Sequence, residues 1–216
     1  MKRVSGECMN RIARALLACA AVVAAGPALG SDALVEAADA GTGLEAYQFL
    51  EAGAVIDLSG GLAVALGYPA SCVHERISGG RVVVGKDRSR VEGGSVERSQ
   101  LDCGGRVQLS EAERQESGAS AWRVGASQPP LILHDRAPLL LFPEEPEMVV
   151  IERTDMPAQS IRLQRPGRTL DLAARGIALE AGGIYVISAG PGRRTVEIDF
   201  DATVTGGPAV ARFVRF

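Results

Sequence analysis

Leu62-Ala63-Val64-Ala65-Leu66-Gly67-Tyr68 puts a large apolar side chain on every second position and alanine or glycine between them. A period of two is the β-strand period, so the large residues share one face and look into a core. Upstream, Ala54 to Leu58 has the same character and is separated from it by Ser59-Gly60-Gly61, which predicts a hairpin. Downstream, Arg81–Val84, Val96–Leu101 and Arg106–Leu109 continue the pattern. Three glycine pairs, Gly79-Gly80, Gly93-Gly94 and Gly104-Gly105, each lead back into a valine-bearing stretch. Such pairs serve turns that need positive φ, so this half reads as a Gly-rich β-meander or roll. Their irregular spacing does not make a solenoid repeat.

The second half alternates as well. Strands are expected at 131–133, 139–142, 148–153, 160–163, 170–172, 184–187, 195–200 and 210–216. Turn residues lie between them at Pro143–Pro146, Pro166-Gly167, Gly182-Gly183, Gly190–Gly192 and Gly206–Pro208. Short strands at even spacing predict an antiparallel β-sandwich, Ig-like in the broad sense of two packed sheets. The fold class is therefore mainly β. Residues 46–109 form a Gly-rich β-domain and 131–216 a sandwich domain. Between them, 110–130 is a linker in which Ser110-x-x-Glu113 marks the start of a short helix.

The N-terminus reads differently. Lys2, Arg3, Arg11 and Arg14 precede the apolar run Ala15–Ala25, and Pro27 and Ala28-Leu29-Gly30 follow it. Basic residues, an apolar stretch and small residues in that order predict a signal peptide over 1–30, cleaved near Gly30. Residues 31–45 are then expected to be a flexible lead-in. Retention of the leader as an anchor, lipidation at Cys19 and a start at Met9 are the alternatives. Cleavage removes four bases and Glu7 from a chain of formal charge −3. The remainder is more acidic still, which disfavours a nucleic-acid partner. Lys2 and Lys86 are the only lysines and Asn10 the only asparagine, so the rest of the chain lacks a glycosylation sequon. A bacterial periplasmic or secreted protein is expected, with no membrane span after cleavage.

Beyond the leader only Cys72 and Cys103 remain of the 4 cysteines. In an exported chain an even pair predicts a disulfide, here a staple across the glycine hairpins of the first domain. Cys72-Val73-His74 also offers a thiol beside a base, and His134-Asp135 an imidazole beside a carboxylate. No Gly-x-Ser-x-Gly elbow accompanies them, and the chain has only 2 histidines. Glu197, Asp199 and Asp201 alternate along an expected strand, which would put three carboxylates on one face, a weak cation site. Tyr68, Trp122 and Tyr185 are the aromatic residues set aside as a ligand or partner platform, in a chain only 4% aromatic.

Between Gly53 and Val96, the order of Gly53, Leu66, Tyr68, Gly79, Gly80 and Ser89 resembles the small exported β-domains related to FecR-type periplasmic sensor regions. The resemblance covers about 60 residues, and a cytoplasmic anti-sigma segment and spanning helix have no counterpart in this chain. It implies a non-catalytic periplasmic module that contacts an envelope protein or polymer. The functional expectation is thus a non-enzymatic interaction, sensory or structural module without a cofactor. A small-ligand or glycan-binding module is the alternative, and a hydrolase comes last.

Overall fold

The strands of this chain assemble into four sheets in a computed structural model that describes residues 32–103, 130–156 and 159–216. In the first half these are β1 (Ala33–Ala38), β2 (Phe49–Leu50), β3 (Val55–Asp57), β4 (Ala63–Tyr68), β5 (Val73–Ser78), β6 (Arg81–Val83), β7 (Arg90–Glu92) and β8 (Ser95–Gln100). They form a five-stranded antiparallel sheet ordered β2-β1-β4-β5-β8 and a three-stranded sheet ordered β3-β6-β7. Ala33 and Val35 of β1, Val64, Leu66 and Tyr68 of β4, Ile77 of β5 and Ile56 and Val82 of the smaller sheet meet in one apolar core.

Two expectations are corrected here. Residues 33–38 are not a flexible lead-in but the second strand of the larger sheet, with Ala33, Leu34 and Val35 fully buried. The stretch 54–58 does not form a hairpin with β4. Val55 and Ile56 pair with Val83 and Val82 of β6, so the Ser59-Gly60-Gly61 turn carries the chain from one sheet to the other. Alternation alone fixes which face is buried, not which neighbour completes the ladder.

The glycine pairs explain how the two sheets are joined. Gly79 and Gly80 both have positive φ, +69° and +75°, a tight-turn conformation that glycine adopts without strain. This turn links β5 to β6, and Gly93-Gly94 links β7 to β8, so both turns carry the chain from one sheet to the other instead of closing a hairpin. The turns lie back to back: a Cβ on Gly80 would collide with Gly94 N, and one on Gly94 with the backbone of Gly79. From that hinge the sheets diverge. The third pair, Gly104-Gly105, lies outside the described residues with the expected strand 106–109, the helix near 111–116, Trp122 and the leader through Cys19.

The second half contains β9 (Leu131–Leu133), β10 (Leu139–Leu141), β11 (Met148–Arg153), β12 (Ile161–Gln164), β13 (Thr169–Asp171), β14 (Ile184–Ala189), β15 (Gly192–Ile198), α1 (Ala209–Arg212) and β16 (Phe213–Arg215). The sheets are β12-β11-β14-β15-β9 and β13-β10-β16, and residues of both build one core. The expectation of a purely antiparallel sandwich is corrected: β9 runs parallel to β15, and β16 parallel to β10. The expected strand 210–216 begins as helix α1 and becomes β16 only at Phe213.

The two halves share a seam. All three residues of β10 are buried: Leu140 faces the second core, while Leu139 and Leu141 pack with Leu34 of β1 and Ala209 of α1. Full burial of one leucine contributes about 1.5–3 kcal/mol, so β10 anchors two interfaces at once. Gly67 of β4 lets this approach happen, because a Cβ there would lie 2.6 Å from Glu36 Oε1 and would also overlap Val210.

Candidate functional site

Sheet alternation sends the polar residues of the first domain in two directions. On the outer face of the larger sheet, Glu36 of β1 accepts hydrogen bonds from Ala209 N (2.9 Å) and Val210 N (2.8 Å). Helix α1 starts after Pro208, which offers no side-chain cap, so Glu36 caps it from the other domain. His74 Nε2 lies 3.7 Å from Glu36 Oε2. Replacing Glu36 by alanine should cost about 1–2 kcal/mol, the usual loss for an N-cap, read as a lower urea midpoint and faster amide exchange at Ala209 and Val210. Unchanged exchange at those two amides would remove this assignment.

Behind α1, Arg212 donates to both carboxylate oxygens of Asp171, at 2.8 and 2.9 Å, and to the carbonyls of Ala137 and Gly207. Tyr47 packs into the seam from a turn where its φ is +67°. Burial, then the charge of Asp171, pushes the Tyr47 phenol up from its ordinary pKa. A tyrosine in that backbone region is strained, and the docked second domain holds it there. Beside it runs a groove of about 390 Å³ between the domains, lined by Tyr47, Phe49, Phe142, Phe216, Arg168 and Arg215 among others. The Arg215 guanidinium stands 4.9 Å over the Phe49 ring, and Arg168 donates to the Pro143 carbonyl.

On the inner face, Glu75 of β5 is fully buried and accepts from Arg98 Nε (2.6 Å) and Ser89 N (3.1 and 3.2 Å). Arg98 Nη2 also donates to Ser89 O, and the Ser89 hydroxyl meets the Tyr68 hydroxyl at 2.6 Å. This network closes the base of a cleft of about 440 Å³ where the two sheets have diverged, lined by Arg88, Ser89, Arg90, Val91, Val96 and Arg98. Its walls, β7 and β8, are each the last strand of their sheet among the described residues.

Burial pushes the Tyr68 phenol up to about 12, against the opposing pull of the Ser89 hydrogen bond. The folded state therefore keeps a proton that the unfolded chain releases near its ordinary value of 10.0. The resulting stability is complete below pH 10 and is lost as pH rises towards about 12. Ultraviolet titration should show one phenol ionising in that upper window, and Tyr68→Phe should abolish the step.

The residues singled out from sequence are placed as follows. Cys72 and Cys103 lie at disulfide distance, with Cα atoms 5.9 Å apart. They join the β4–β5 turn to the segment after β8, at the opposite end of these strands from the glycine turns. A chain of residues 31–216, denatured without reductant, should label no free thiol, and two labelled thiols would contradict the bond. Cys72 precedes β5, so its sulfur faces Cys103 while His74 turns to Glu36. Tyr68 has no exposed surface and Tyr185 is buried, its hydroxyl accepting from Glu180 N. Neither is a surface platform, because each is an inward residue of its strand. The three acids do not share a strand face, since β15 ends at Ile198 and Asp199 caps a turn by accepting from Asp201 N.

His134 does not meet Asp135. The Asp135 carboxylate accepts from the amides of Ala137, Gly206 and Gly207, while His134 lies 3.6 Å from Asp102 and 3.9 Å from Asp199. Among the described residues no group of three or more His, Cys, Asp or Glu could hold a metal ion, and no helix is long and apolar enough to cross a membrane. No family model, curated protein or solved structure matches this chain. Sequence reasoning missed Arg88, in the bend before β7, Arg90 of β7 and Arg98 of β8, which line one cleft although β7 and β8 belong to different sheets.

Proposed function

We propose that this protein is a non-enzymatic interaction module of the bacterial envelope, exported by its basic and apolar leader. The observation that carries the reading is the arginine-lined cleft between β7 and β8. Two strand edges with no partner among the described residues flank it, and such edges recruit further strands in protein–protein recognition. The paired groups a hydrolase would use are otherwise engaged. Cys72 faces Cys103, and Asp135 holds backbone amides. The likeness to FecR-type domains supports the same reading, and two of its residues, Tyr68 and Ser89, bond to each other at the cleft base.

The test is capture of partners from envelope extract by the tagged mature protein, compared with the double variant Arg88→Glu/Arg90→Glu. The same proteins should be lost from the variant while its circular dichroism is unchanged. Equal capture by both forms, or none by either, would overturn the reading.

The second reading, a small-ligand or glycan site, rests on the interdomain groove. Its volume of about 390 Å³ and its aromatic lining suit a small ligand. A thermal shift with a saccharide library, abolished by Arg215→Glu, would favour it.

A further inference from the structure

We propose that the cleft between β7 and β8 receives an extended acidic segment of another protein, which adds as a strand to the open edge of β8; this rests on the interaction reading above. The register of β8 supplies the first part of the case. Leu101 N donates to Cys72 O, so alternate residues from Leu101 back to Ser95 face β5. The amides and carbonyls of Val96, Arg98 and Gln100 therefore point away from β5, towards the side where the sheet has no further strand among the described residues. The same three residues share one side-chain face, and Val96 and Arg98 line the cleft. A strand laid along this edge would gain main-chain hydrogen bonds and meet these side chains together.

Charge sets the second part. Arg88, Arg90 and Arg98 line the cleft and, among the described residues, no carboxylate lines it, although the formal charge of the chain is −3. Arg98 is matched by the buried Glu75 beneath it, and Arg90 lies 3.5 Å from Glu92 with both side chains largely exposed. Arg88 makes no ion pair among the described residues. A guest with carboxylates on alternate positions would present all of them on the face that meets these guanidinium groups, with their apolar stems against Val96. A basic segment would be repelled.

The third part is rigidity. Arg98 is fixed by Glu75 and by the Ser89 carbonyl, and Ser89 is fixed by Tyr68. The cleft base is therefore set before any guest arrives, and the back-to-back glycine turns fix the angle at which its walls diverge. Preorganisation of this kind lowers the ordering cost of binding.

The probe is a fluorescent peptide of about ten residues, strand length, with glutamate alternating with threonine. Its anisotropy is followed on the mature protein at low salt. Two companions carry lysine for glutamate, or N-methyl groups on alternate amides. The acidic peptide should bind, weaken with salt, and lose about tenfold or more in affinity to Arg88→Glu/Arg90→Glu and to N-methylation. Equal binding of the lysine peptide would overturn the charge assignment, and equal binding of the methylated peptide would overturn strand addition. Concentration-dependent dimers that block the peptide would make a second copy the occupant instead. Partners captured from envelope extract that the acidic peptide fails to displace would sink this inference and leave the interaction reading standing. Absence of both partner and peptide binding would remove the two together.

Discussion

Arg212→Ala should destabilise the protein by about 3–5 kcal/mol, the cost of removing one member of a buried ion pair. Arg212 is buried and makes four hydrogen bonds, two of them to Asp171 and one each to Ala137 O and Gly207 O. Its loss leaves two carbonyls without their guanidinium donor and a partly buried carboxylate held only by the Ala173 and Ala174 amides, and it loosens α1 from Asp171 and Ala137. Adding Asp171→Ala should recover part of the loss, because the orphaned charge is then gone. A urea midpoint within the error of wild type would contradict the assignment. The pair also has a pH signature. The hydrogen bond from Arg212 holds the Asp171 carboxyl below its ordinary value of 3.8. Its contribution is therefore present above that value and fades as the pH falls below it. In Arg212→Ala the acid limb of the stability curve should move to higher pH.

Arg98→Ala is the second large effect, about 3 kcal/mol, at the low end for a buried pair because the arginine side chain is 40% exposed. Glu75 beneath it has no exposure at all and would keep only the Ser89 amide as a donor. The chain can respond by opening the cleft base and admitting water. Arg98→Ala together with Glu75→Leu should recover stability while leaving the cleft without one of its arginines. Failure of that rescue would mean that Arg98 acts through Ser89 alone.

The fold was legible in the sequence wherever one face of a strand is buried and the other is not. The stretch Met148–Arg153 is β11 as expected, and 131–133 is β9. The legibility ended at pairing. Ala54–Leu58 and Leu62–Tyr68 are neighbours in sequence with matching alternation, yet they belong to different sheets, because partner choice is decided by the whole core. β1 was missed since Ala33-Leu34-Val35-Glu36-Ala37-Ala38 is alanine-rich and carries a glutamate. That glutamate is what the second domain needs, so the residue that disguised the strand is the one that docks it. Helix α1 left a trace in Pro208, a common helix-starting residue, overshadowed by the apolar alternation after it. The cleft arginines had no local signature, because Arg90 and Arg98 are ordinary charges on strands and Arg88 one in the bend before β7.

The bond between Glu36 and α1 joins residues 173 and 174 positions apart, and β10 waits for β16 as its parallel partner. Loops of this length must close before their contacts add stability, which slows folding. The middle layer of the molecule is thus finished by its last strand. A chain still emerging has β10 without its partners β13 and β16 and without α1, so this trileucine strand is where an interrupted folding reaction would be most exposed to aggregation.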